Sequence, residues 1–320
     1  MIRYLSDHVG VENLAKHFLT LLDYEPKEVL SLVKTTLQYK AKRKRGERLT
    51  GELRGKSLAL IFEKPSTRTR ASMGVAIYEM GGMPFFYNWS ELQLGRGEPI
   101  KDTARVLARY HDAIAARVKR HATLEELARY SPVPVINMLS DAFHPLQAIA
   151  DYATILEVKN RVDVTVAFIG DGRDNVFNSL AVAGVKLGAR VIVAAPPQYA
   201  PTDEFLSRLK GAGPGRVEVT HDPVEAVREA DVVYTDVFVS MGQEAEREER
   251  LRAFLPRYQV NIRLLSHAEK DYIFMHCLPA FRGEEVTEEV LEDAKHSVVF
   301  DQAENRLHAS KAVLAYLLVR

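Results

Sequence analysis

The segment FEKPSTRTRASMGVAIYEMGG, Phe62 to Gly82, places Ser66, Thr67, Arg68 and Thr69 behind a proline and at the head of a helical pattern. A helix N-terminus presents unpaired N–H groups and the positive end of the helix dipole, so these side chains would surround a phosphate there. Arg68 adds a planar fork that clamps two oxygens at once, which a lysine does not. The same residues also fit a plain helix cap, with Arg68 and Arg70 facing water. Their position favours a site: they follow the apolar run KSLALIF, and ligands of parallel α/β sheets collect at the carboxyl ends of strands.

Further polar groups recur at comparable places. Arg117 ends the run DAIAARV, and His144 and Gln147 lie three residues apart in DAFHPLQ, where one side of an opening helical turn carries both. An imidazole and a primary amide donate to a carbonyl and accept from an amine, which suits a small acyl group attached to the phosphate. FIGDGRDNVFNSL is a glycine turn between a strand and a helix but lacks the full G-x-G-x-x-G spacing of a dinucleotide site. There Asn175 and Asn178 are candidates for a small polar ligand, and capping explains Asn175 equally well. DVFVSMGQE sets Asp236, Ser240 and a glycine after a strand, either as an amino-acid-binding loop or as an ordinary turn. In FMHCLPAFRG, Cys277 stands beside His276, but sequence neighbours rarely form a nucleophile–base pair.

The elements that must position these groups alternate. A helix is expected over about Glu12 to Arg45, then strand and helix in turn through VPVINMLSD. A long helix, His144 to Asn160, leads into a second alternating series from DVTVAFIGDG to DYIFMHCLP, and a last helix runs from Ala309 to Leu318. This pattern predicts an α/β fold of two alternating halves, each with a parallel sheet flanked by helices, joined by interdomain helices. Hydrophobic residues at 47% and charged residues at 27% fit a globular chain with a large core. Lys plus Arg equals Asp plus Glu at 43 each, which gives no sign of nucleic acid or an anionic membrane as main partner. The single cysteine excludes an intrachain disulfide framework. The N-terminal stretch has no uninterrupted apolar segment, and a cytoplasmic location is the expectation. No cluster of His, Cys and Asp with metal-ligand spacing stands out, so neither metal nor cofactor is expected.

Taken in order, STRTR at Ser66 to Arg70, HPLQ at His144 to Gln147, DVFVSMG at Asp236 to Gly242 and HCLP at His276 to Pro279 carry a resemblance over essentially the whole chain. The sequence resembles the ornithine carbamoyltransferases, a branch of the aspartate/ornithine transcarbamoylase family. The resemblance implies a carbamoyl phosphate-binding domain over 1–147, an ornithine-binding domain over 148–307, and a C-terminal helix, 308–320, packing back on the first. It implies that Ser66, Thr67, Arg68 and Thr69 hold the phosphate, with Arg117 reaching phosphate and carbonyl, and that His144 and Gln147 hold the carbamoyl group. Asn178, Asp236, Ser240 and Met241 match the residues that bind ornithine. The match to Cys277 lies beside the reacting amine, the main chain of Cys277 and Leu278 orients the carbamoyl amide, and Arg306 matches a late active-site arginine. Gln93 matches a residue supplied to the phosphate site by a neighbouring subunit, which implies a homotrimer or an assembly of trimers. Asp174 and Phe281 stand where many relatives carry asparagine and histidine.

The implied reaction is direct attack of a neutral δ-amine on the carbamoyl carbon, through a tetrahedral intermediate, with phosphate leaving. Arg117, His144 and Thr69 would stabilise the oxygen on which charge develops. Transfer to aspartate would call for basic groups where Asp236 stands, and putrescine would leave Ser240 without an α-carboxylate to meet. A non-catalytic binding module on the same fold is the reading from another class.

Overall fold

The computed structural model describes residues 16–240 and 242–319. The part of the expected Glu12 to Arg45 helix before residue 16, and Met241, lie outside the described residues. Within them that helix is shorter: α1 spans Pro26–Lys44. Proline is tolerated only in a helix's first turn, and Glu25 and Glu28 close a capping box around that start. Upstream, Phe18 instead bridges to Ile136.

The first sheet contains β1 (Ser57–Phe62), β2 (Met83–Asn88), β3 (Ala113–Arg117) and β4 (Val135–Leu139), in the order β2-β1-β3-β4. The second contains β5 (Thr165–Ile169), β6 (Arg190–Ala194), β7 (Arg216–Thr220), β8 (Val232–Thr235) and β9 (Ile273–His276), in the order β7-β6-β5-β8-β9. All pairings are parallel. The central strands β1, β3, β5 and β8 are buried nearly end to end, as apolar runs covered by helices on both faces should be. The edge strand β2 differs. With Met83, Phe85 and Phe86 at its surface, and Val75, Tyr78 and Tyr110 on flanking helices, it carries a band of exposed apolar side chains.

Helices α2 (Arg68–Glu79), α3 (Ile100–Tyr110) and α4 (His121–Tyr130) belong to the first sheet, and α6 (Asn175–Leu187) to the second. Between the sheets lie α5 (Pro145–Lys159) and a C-terminal helix, Val299–Leu318. One core runs through these two helices, taking in Leu58 and Leu60 of β1, Ile149 and Ile155 of α5, Phe168 of β5 and Val313. Burial of each such side chain contributes about 1.5–3 kcal/mol. α5 and α6 approach closely at Gly184, where an added Cβ would lie 2.4 Å from the Tyr152 hydroxyl.

The last helix starts at Val299, upstream of the expected Ala309, and its first turns bury polar residues that conceal it in the sequence pattern. Gln302, Asn305 and Arg306 all face inward there, so the apolar period that marks a helix in sequence is missing.

Candidate active site

In each sheet the strand order reverses direction once, between β1 and β3 and between β5 and β8, and such switch points leave a crevice beyond the strand ends. The two crevices face each other across a single cleft of about 390 Å³.

The β1 side delivers Ser66 and Thr67, on the loop entering α2, and Arg68 and Thr69, at its first two positions, into the cleft. Ser66 Oγ accepts from Thr69 N–H at 3.2 Å, and Thr67 makes no side-chain cap, so other N–H groups of this first turn remain open. Arg70 is turned away and lies 4.8 Å above the Phe86 ring on the outer face. The β3 side delivers Arg117, 6% exposed, from the last position of the strand. His144, at the N-terminus of α5, and Gln147 in its first turn are buried beside it. Arg306 reaches in from the C-terminal helix, donating to Gln147 Oε1 and, at 3.2 Å, to Thr69 Oγ1.

These groups form a buried cationic surface with unfilled hydrogen-bonding capacity. Arg117 Nε, Arg306 Nε and His144 Nδ1 are buried without a partner. Burial, followed by the charge of Arg306, pushes the Arg117 guanidinium down to about 10. Burial likewise brings Arg306 down to about 10, against the pull of Asp151. Both remain protonated at neutral pH. Burial, then Arg306 and Arg117, hold His144 well below the usual imidazole range, so its ring is neutral. Buried polar groups are normally paired, and orphaned donors in a cationic cleft call for an anion with several oxygens.

The second wall is acidic. Asp236 follows β8, and Asp174 caps α6, accepting from Val176 N–H at 2.7 Å and Phe177 N–H at 3.3 Å. Ser240 Oγ donates to the other Asp174 oxygen at 3.3 Å. Burial, then Asp236 and Asp171, push the Asp174 carboxyl well up, and burial also raises Asp236. Gly170 turns the chain out of β5 with φ +146, a conformation reserved for glycine. Arg250 ties the turn down by pairing with Asp171 and donating to Phe238 O at 2.6 Å.

Asn178, expected in the pocket, does not line the cleft. Its amide donates to Ala142 O at 3.1 Å, which docks α6 on the loop before His144; Ser179 Oγ accepts from His144 N–H at 2.7 Å beside it. Asn175, at the first position of α6, lines the cleft instead. Gln93 is exposed, and it too is absent from the lining formed by its own chain. Phe281 lines the mouth of the cleft.

Cys277 and Leu278 close the floor after β9. The Cys277 thiol is hydrogen-bonded to Asp236 and raised well above the usual thiol range by burial and then by Asp236, so it is a neutral contact rather than a thiolate nucleophile. Leu278 has φ +58, a left-handed conformation that costs a side-chain-bearing residue roughly 1–2 kcal/mol, and precedes a cis proline. Its N–H donates to His276 Nδ1 at 2.9 Å, leaving Nε2–H to donate to the buried Glu285 at 3.0 Å. Asp236, His276 and Cys277 offer ligand atoms within 4.8 Å of one another. Both ring nitrogens of His276 are already committed to these bonds, however, so a metal ion there would have to displace one of them.

Comparison with known proteins agrees with this geometry. The family model described as the carbamoyl-P binding domain of aspartate/ornithine carbamoyltransferase matches residues 16–157, and that described as the Asp/Orn binding domain matches 162–317. The ornithine carbamoyltransferase of Ignicoccus hospitalis is 57% identical over 308 residues, covering 95% of this chain and 98% of that protein. The solved ornithine carbamoyltransferase of Pyrococcus furiosus superposes with a TM-score of 0.90 at 52% identity, covering 97% of this chain and 99% of that one. That of Thermus thermophilus gives 0.84 at 44% identity, over 94% and 98%. A cationic wall and an acidic wall meeting between two parallel sheets, and relatives this similar over nearly their whole length, lead to one assignment: the chain belongs to the aspartate/ornithine carbamoyltransferase family.

Proposed function

We propose that the chain transfers the carbamoyl group of carbamoyl phosphate to the δ-amine of L-ornithine, giving L-citrulline and phosphate. The observation that carries this reading is the set of unpartnered polar atoms on Arg117, Arg306 and His144, facing a buried pair of carboxyls across the same cleft. Ser66, Thr67, Arg68 and Thr69 take the phosphate with the open end of α2. Arg117, His144 and Thr69 surround the carbonyl oxygen, where loss of one such donor costs about 3 kcal/mol. Gln147 and the main chain of Cys277 and Leu278 take the carbamoyl amide. Asp236 takes the α-ammonium of ornithine, and Ser240 takes the carboxylate with Asn175, which replaces Asn178 in this role; Met241 follows Ser240 in sequence.

The amine attacks the carbamoyl carbon as its C–O bond to phosphate breaks, so the cations on the first wall hold the charge both on the carbonyl oxygen and on the leaving group. No covalent enzyme intermediate is required. Ornithine suits the acidic wall better than aspartate does, since Asp236 meets an ammonium but offers no cation to a second substrate carboxylate. The loop bearing Ser240 closes over ornithine and sheds water from the acyl phosphate. Assembly into trimers, with Gln93 reaching a neighbour's phosphate site, fits the exposed apolar band around β2.

The test is citrulline formation by the purified protein with ornithine, and with aspartate, putrescine, lysine and N-acetylornithine run in parallel. Turnover with ornithine alone is expected; turnover with aspartate would overturn the assignment of the acidic wall.

A further inference from the structure

Asp151 lies on α5, fully buried, one helical turn beyond Gln147, and takes no direct part in the cleft. Its Oδ1 accepts from Gln147 Nε2 at 2.8 Å and from Gln302 Nε2 at 2.7 Å, and its Oδ2 accepts from the Tyr234 hydroxyl at 3.3 Å. The two glutamines therefore both turn their NH2 groups inward and their oxygens outward. The Gln147 oxygen meets Arg306 at the cleft, and the Gln302 oxygen accepts from His276 N–H at 2.9 Å, at the root of the Cys277–Pro279 turn.

A primary amide has no intrinsic preference for which end faces which way; its partners decide. Arg306 only donates and a carboxylate only accepts, so Gln147 satisfies both in one orientation alone. We propose that Asp151 is a positioning residue that fixes the Gln147 amide with its oxygen toward the substrate's carbamoyl NH2 and, through Gln302, anchors the turn that carries Cys277 and Leu278. This rests on the function proposed above. The contacts join α5, β8 and the C-terminal helix, so one buried carboxyl sets the orientation of groups on α5 and at the end of β9. Burial pushes Asp151 up to about 7, while the donated hydrogen bonds and Arg306 favour its charged form.

The test exchanges donor and acceptor. In Gln147→Glu two carboxyls face each other and hold together only while they share a proton. In Gln147→Glu combined with Asp151→Asn, the new amide donates to the introduced carboxylate, which still turns an oxygen to the cleft; the Gln302 NH2, which shared the same oxygen of Asp151, then loses its acceptor, so the exchange restores the Gln147 contact and not the Gln302 one. Wild type, both single variants and the double variant are compared for kcat across pH, for the Kd values of carbamoyl phosphate and of inorganic phosphate, and for thermal melting as a control of folding. We expect Gln147→Glu to lose about 100-fold in kcat at alkaline pH, with the loss easing as pH falls. The double variant is expected to recover about tenfold or more over Gln147→Glu at alkaline pH, with phosphate affinity equal in the two within about threefold. A folded double variant no more active than Gln147→Glu, with the same pH profile, overturns the proposal. Absence of citrulline from the wild type would instead overturn the functional reading. The ratio of carbamoyl phosphate to inorganic phosphate affinity across the four proteins then decides the role of Asp151: recovery of that ratio in the double variant supports it, and no recovery overturns it.

Discussion

The β1/β3 gap of the first sheet and the β5/β8 gap of the second have the same geometry but present opposite chemistry. The first is lined by arginines of which Arg117 Nε and Arg306 Nε are buried without a partner; the second by carboxyls that already accept hydrogen bonds, from a helix N-terminus, a serine and a thiol. The first wall is therefore incomplete until an anion arrives. The second is largely satisfied in itself, and a ligand must displace or join existing contacts, as at the bond between Ser240 and Asp174. One wall stores binding capacity and the other stores selectivity.

The largest effect should come from the cationic wall. Arg117→Ala is expected to lower kcat by about 10²–10³, the usual result of deleting a preorganised donor to a developing oxyanion. Asp236→Asn should act on the other substrate, raising the KM for ornithine by about tenfold or more while leaving that for carbamoyl phosphate nearly unchanged. Steady-state kinetics with each substrate varied in turn checks both, and a comparable rise of both KM values in Asp236→Asn would break the division between the walls.

A smaller effect separates two asparagines. Asn175→Ala should weaken ornithine binding by about tenfold, whereas Asn178→Ala should leave both KM values alone and cost about 1 kcal/mol of stability through its lost bond to Ala142. Kinetics paired with thermal melts distinguishes the two. The smallest effect concerns Asp174. Its folded-state pKa is raised, so its contribution to stability is full below the unfolded pKa and is lost as pH rises through the folded value. Asp174→Asn keeps a capping side chain and removes that loss. The melting temperature of the variant relative to wild type should therefore climb as pH is raised from acid to alkaline, and a flat difference would show that the two carboxyls are not opposed in the folded chain.

The parts of the fold and site that follow strands are legible in sequence, because strand, turn residue and helix start leave local signatures: STRTR after β1, HPLQ after β4, DVFVSMG after β8. What stays hidden is polar and buried. Asn175 and Asn178 are three apart at the start of one helix, a separation at which both are candidates for the same face, and only packing shows that α6 docks through the second of them. Asp151, Gln302 and Asn305 interrupt the apolar period of their helices, and nothing local reveals that each meets a partner about 150 residues away or, for Gln302, at Tyr234 as well. For the same reason the apolar pattern places the start of the last helix late, at Ala309 rather than Val299.

That last helix also sets an order of events during synthesis. Domains assemble from the N-terminus as the chain emerges, and both sheets are complete in sequence by His276. Arg306 and Gln302, however, belong to the final helix, Val299–Leu318. A nascent chain can therefore build the turn of Ser66 to Thr69, the buried Arg117 and the carboxyls of the second wall while it still lacks the guanidinium that meets Gln147 and Thr69. Arg306 and Gln302 meet their partners only once this helix has emerged and docked between the two sheets, so a chain broken off before it is expected to stay inert toward carbamoyl phosphate however well both sheets have formed.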